Sequence, residues 1–247
     1  MSRARNGLIE LLLFLTVFTI FVARAPRLSH FLVNPDHCYQ LAAGAELLRG
    51  RMPGVDLLTN FGPLIPLLAA VTLRINDDLV PEVILCAAGW ALAVWLVFRL
   101  TRRTFGWAAA ACAGLLGFLM IARFHRWYVW LMPLAAVAAI DAPGRVGPGR
   151  WTLAGILCGL GTLFRPELGA GSLGALGLVA LGDSLREHGV RFPRPWLLLV
   201  AGFTVPLLVW AVTISAEAGF PAFVALLREF AANVSGSVEY WSKPPPP

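Results

Sequence analysis

The sequence predicts an all-α fold: a polytopic transmembrane helical bundle of about eight segments. Composition carries this first. Of the 247 residues, 58% are hydrophobic and 14% are charged, whereas soluble domains hold about 25% charged residues. Mean hydropathy is +0.72. The second observation is how the apolar residues are gathered. They form runs at 7–24, 58–75, 80–98, 105–122, 127–141, 151–164, 168–182 and 196–215. Several approach the ~20 residues that cross a bilayer.

The first run follows Arg3 and Arg5. No small-residue cleavage site follows it, so it reads as an uncleaved first span and not a removed signal peptide. The fifth, sixth and seventh runs are short. The sixth and seventh are rich in glycine, with Gly155, Gly159, Gly161, Gly169, Gly171, Gly174 and Gly177. Small residues let helices approach closely inside a bilayer, and Gly155 and Gly159 form one GxxxG. After the eighth run, residues 220–234 have the helical spacing of an interfacial amphipathic helix.

Net charge is +6, from 20 basic and 14 acidic residues. Lys243 is the sole lysine. The basic residues are dispersed over loops, which suits contact with membrane lipids and excludes nucleic acid as a partner. Arginine clusters at Arg99, Arg102 and Arg103, at Arg145 and Arg150, and at Arg186, Arg191 and Arg194. Two apolar runs separate each cluster from the next, so all three fall on one face, the cytoplasmic one by the positive-inside rule. Counting back three spans puts the N-terminus outside and residues 25–56 inside. Cys38, Cys86, Cys112 and Cys158 stand singly, with no disulfide framework and no metal spacing.

Residues 34–56, NPDHCYQLAAGAELLRGRMPGVD, are a polar stretch between oily ones. Asn34, Pro35 and Asp36 read as a helix start. The helix is expected to end near Arg49, with Gly50 past its C-terminus. Its modest amphipathicity suits the membrane surface. Asp36 has two readings: a carboxylate favoured by the helix dipole, or a general base at the headgroup level. His37 either lies at the surface, tunes Asp36 or binds a phosphate.

The order of features from Asp36 and Tyr39 through LLRG, then Gly50, Pro53, Asp56, Asn60, Gly62, Pro63 and Leu64 resembles the start of the GT-C membrane glycosyltransferases. It is most similar to the bacterial branch near protein O-mannosyltransferases and lipid A aminoarabinose transferases. The stretch Gly50–Asp56 departs from the family pattern at Gly54, where an aromatic residue is usual. The resemblance implies that Asp36 is the base that activates the acceptor. It implies a polyprenyl-phosphate sugar donor, and a lipid, glycan or protein acceptor. It also puts the first loop on the outer, periplasmic face of a bacterial inner membrane, against the arginine count. His37, Tyr39, Arg51, Asp56 and Asn60 are its expected substrate-binding residues.

Two further stretches join them. In FRPELGAG, Arg165 and Glu167 lie between short apolar runs, where charges pair or face a polar cavity. Arg165 is either a phosphate ligand or a snorkelling helix-end arginine. In RFHRWYVW, Arg126 is a second phosphate candidate, and Trp127, Tyr128 and Trp130 can stack on a sugar or form an aromatic belt. No carboxylate cluster near Asp36 has metal spacing, so no metal or other cofactor is assigned. Family members run longer and the sequence closes on YWSKPPPP. Residues 1–247 therefore read as a single transmembrane module, the N-terminal part of a longer protein, with 25–57 as the first loop. The rival readings are a polytopic transporter or lipid flippase, whose half-helix sites would use the short glycine-rich segments, and a non-catalytic truncated module.

Overall fold

The computed structural model describes residues 3–32, 35–51, 62–76, 79–119, 124–141, 146–188, 194–221, 223–224 and 228. Among the described residues the regular structure is all helical. The helices are α1 (Arg3–Leu32), α2 (Pro35–Leu48), α3 (Leu64–Ile75), α4 (Val80–Phe105), α5 (Trp107–Leu119), α6 (Tyr128–Ile140), α7 (Pro148–Phe164), α8 (Pro166–His188) and α9 (Arg194–Ala218). A 3-10 turn, Phe124–Arg126, precedes α6. Three stretches among the described residues are long and apolar enough to cross a membrane: Gly7–Arg24 within α1, α4 and α9. The expected interfacial helix at 220–234 falls mostly outside the described residues.

Helix ends explain several boundaries. α2 stops where the sequence predicts. Gly50 has φ +83°, its N–H donates to the carbonyl of Leu47, and the Arg51 N–H donates to that of Glu46. That is a Schellman close, in which glycine takes the left-handed backbone without a Cβ penalty. α4 likewise ends at Gly106, φ 87°, so it runs past the expected residue 98. α1 continues to Leu32, so residues 25–32 belong to the first helix and not to the first loop.

Ion pairs and ring contacts order the helix ends into two sets. At one end, Glu10 of α1 meets Arg102 near the end of α4 at 2.5 Å, and Arg103 meets Asp141, just after α6, at 2.6 Å. At the other end, Phe21 of α1 packs on Phe124 with ring centroids 5.9 Å apart. The Trp90 indole in α4 donates to the Phe124 carbonyl at 2.7 Å. Glu82, twenty residues before Arg102, lies about 30 Å from it along the helix. That is the thickness of a hydrocarbon core.

α3 corrects the charge count. Its leading residue Gly62 donates its N–H to the carbonyl of Phe164 at 2.9 Å. Ten residues on, the Thr72 hydroxyl donates to Glu82 at 3.0 Å. Both contacts lie at the Phe124 end, so α3 returns to the end where it begins and segment 58–75 is not a traverse. Residues 36–51 consequently sit at the end away from Arg102, Arg103 and Arg150, where the count of spans had put them together. The physical reason is that both ends of this 12-residue helix, about 18 Å long, are bonded to the same end of the bundle.

α7 and α9 run parallel and nearly touch through their backbones. A Cβ on Gly155 would collide with the carbonyl of Leu199, one on Gly159 with that of Phe203, and one on Gly202 with that of Thr152. The GxxxG of the sequence thus sits in a real interface. Gly174 faces open space. Gly155→Leu or Gly202→Leu is expected to lower stability by about 1–3 kcal/mol through overpacking. Gly174→Ala serves as the neutral control. Thermal unfolding in detergent checks the difference.

Candidate active site at the end opposite the arginine clusters

The site forms where four segments meet: the first turn of α2, the 3-10 turn, the first turn of α4 and the turn between α7 and α8. The Trp90 hydrogen bond holds the 3-10 turn against α4. Gly89 makes this fit possible, because a Cβ there would enter the Trp127 ring. Tyr128 stacks on Phe164 at 4.9 Å between ring centroids, and Trp127 meets Phe164 edge-on at 5.6 Å. These rings tie the 3-10 turn to the end of α7. Gly62 closes the arrangement, since a Cβ there would strike the backbone of Leu163.

On this frame, Asp36 pairs with Arg126. The two side chains are 37% and 22% exposed, so the pair borders the surface. Arg126 uses Nη2 for Asp36, and its buried Nε has no hydrogen-bond partner among the described residues. Arg165 pairs with Glu167 across the α7–α8 turn. Tyr128 follows Arg126 by two residues and stacks on Phe164, the residue before Arg165, so the two arginine-bearing segments meet at this ring contact. The Gln40 amide, one turn beyond His37 on α2, is buried beside the Tyr128 hydroxyl.

His37 is a correction. As a solvated loop residue it would be exposed, but it is fully buried. Its Nε2 lies 3.5 Å from Glu82 Oε1, and its ring stacks on His125 with centroids 5.3 Å apart. Glu82 also accepts from Thr72 at 3.0 Å and from the Cys86 thiol at 3.7 Å. A buried carboxylate needs this many donors, because burial removes its water. His37 thus lies in the interior and not at the surface.

The other expected residues divide. Asp36, Arg126, Arg165 and Glu167 are brought to one end of the bundle. Tyr39 is exposed. Arg51 lies past the far end of α2, a helix of 14 residues or about 21 Å, and there it binds Glu46 at 3.2 Å. Arg49 pairs with the same carboxylate. Asp56 and Asn60 lie outside the described residues, as does Asn34. Trp127 and Tyr128 are buried in the core, leaving Trp130 as the exposed ring of that stretch.

Glu82 was missed by reading the sequence. Its signal was available: a carboxylate in the first turn of a long apolar helix, where an ionisable group is costly unless partnered. Gly89 and Trp90 gave no such signal, because glycine and tryptophan are ordinary in apolar spans.

Trp90→Phe is expected to cost about 1–3 kcal/mol, because it strands the buried Phe124 carbonyl while keeping most of the ring volume. A lowered thermal midpoint would check it; an unchanged one would show that the 3-10 turn does not depend on this bond.

No protein-family model matches the chain, and neither does any curated protein or solved structure.

Proposed function

We propose that this protein is an integral membrane glycosyltransferase. In this reading it moves a sugar from a polyprenyl-phosphate donor to a lipid, glycan or protein acceptor. What supports the reading most is one convergence. Three stretches far apart in sequence meet at one end of an apolar bundle: Asp36 pairs with Arg126, and Trp127 and Tyr128 pack on Phe164, next to Arg165.

The chemistry follows from those groups. Asp36 accepts the proton of the acceptor hydroxyl. The hydroxyl oxygen attacks the anomeric carbon from the side opposite the phosphate. The bond between that carbon and the phosphate oxygen breaks, and the configuration inverts. The departing polyprenyl phosphate carries the electron pair, and an arginine is suited to it through its fork of donors. Arg126, which holds Asp36 through Nη2 at the rim of the site, is the first candidate. Arg165 is the second candidate.

Membrane orientation follows in the same reading. The arginine-rich ends of α4, α7 and α9 face the cytoplasm by the positive-inside rule. The Asp36 end then faces outward, to the periplasm of a bacterial inner membrane. In this reading α1, α4 and α9, whose described residues are long and apolar enough to cross a membrane, are full traverses, α5–α8 are further ones, and α2 and α3 pack together at the outer surface. The shorter traverses are accommodated by local thinning or by shelter within the bundle.

The test uses the protein in membranes supplied with a labelled polyprenyl-phosphate sugar. Asp36→Asn is expected to reduce transfer by about 10²–10⁴-fold, the usual contribution of a general base. Arg51→Ala is expected to leave it unchanged. Undiminished transfer by folded Asp36→Asn would end the assignment of the base.

A further inference from the structure

Asp36 and Arg126 form one pair at the rim, and their chain neighbours form a second contact directly beneath. His37 follows Asp36 and stacks on His125, which precedes Arg126. His37 also reaches Glu82 across to α4. The first turn of α2 is thus held at two depths, exposed above and buried below. Exposed ion pairs contribute little by themselves. The buried contact is different, because its polar groups are out of water and disturbing one of them leaves the others desolvated. The lower contact therefore has the stiffness that the upper one lacks.

We propose that His37 and Glu82 are a positioning pair that sets Asp36 against Arg126. Neither residue touches substrate. Glu82 is itself oriented from α3 by the Thr72 hydroxyl and from its own helix by the Cys86 thiol. His125 supplies the flat surface that fixes the His37 ring plane, with only 16° between the two rings. α3 contributes Thr72, α4 contributes Glu82 and Cys86, and the 3-10 turn contributes His125. The pair acts through geometry. If the contact to Glu82 is lost, α2 turns about its axis and Asp36 leaves the arc that Arg126 can reach. The proposal rests on Asp36 as the reactive carboxylate, but the placement of Asp36 is measurable without any reaction.

The experiment reads the two ends of the bundle separately in the full chain in membranes. One reporter carries Asp36→Cys with Arg126→Cys. The other carries Glu10→Cys with Arg102→Cys, about 30 Å away along α4. In both, Cys38→Ser and Cys112→Ser remove the two exposed native thiols. A short bis-methanethiosulfonate bridges each pair, and mass spectrometry of the peptides gives the yield. His37→Gln and Glu82→Gln are expected to abolish bridging at the Asp36 end and to leave the Glu10 end intact. The exchanged pair, His37→Glu with Glu82→His, is expected to restore it. Unchanged bridging at the Asp36 end overturns the proposal, and so does equal loss at both ends, which would mark a general core contact.

A second measurement separates this from the transferase reading. With native Asp36, both glutamine variants are expected to lower turnover by about 10²-fold, the order that a misplacement of about 1 Å costs, with the donor KM unchanged. Bridging that responds as stated, in a protein that transfers no sugar, would refute the transferase and keep the positioning pair.

Discussion

The hydrogen bond from Gly62 to Phe164, and the side-chain-free approach behind it, ties the entry of α3 to the turn after α7. Through Thr72 and Glu82, the exit of α3 is tied to the start of α4. A helix pinned at both ends to one side of the molecule cannot traverse it. The later helices follow from that reversal. α4 must start at the same end as α2 and run away from it, and each later traverse alternates. The arginine clusters then gather at the far end.

Charge is handled differently at the two ends. At the arginine-rich end, Glu10 and Asp141 each take one arginine, and Arg99 and Arg102 lie over the rings of Trp95 and Trp107. Rings and carboxylates there restrain cations that stand near water. At the other end the charged groups are interleaved with the core. Glu82 is inside, Asp36 at the rim, and the path between them runs through two imidazoles. A low-dielectric surround strengthens such contacts and penalises any that is missing. This favours one well-defined geometry for the first turn of α2.

The apolar runs and their order were legible in the sequence, because a bilayer demands long uninterrupted hydrophobic stretches. The extent of α2 was legible to within a residue or so at its C-terminus. Gly50 is recognisable as a position that wants a left-handed backbone. The traverse count was not legible, since hydropathy records how apolar residues 64–75 are and not whether they turn back. The nearness of Asp36, Arg126 and Arg165 could be guessed only from resemblance, as no local pattern relates residues ninety and more positions apart. His37 misled for a related reason. A histidine beside an aspartate in a polar stretch looks solvated until Glu82, forty-five residues on, is placed against it. Gly62 shows the reverse: the motif that contains it was noticed, but its steric purpose needed Leu163 in view.

The backbone contact between α7 and α9 has a mechanical consequence. Where side chains interdigitate, one helix can slide past another by changes of rotamer. Along Gly155, Gly159 and Gly202 the nearest neighbours are mostly backbone atoms, with the Pro206 ring against Gly159. α7 and α9 therefore form one double rod. α7 ends at Phe164 and hands the chain to Arg165, so the rod carries that arginine. Phe164 is itself hydrogen-bonded to Gly62 and packed against Trp127 and Tyr128, so rod, α3 and the turn that bears Arg126 make one block around the site.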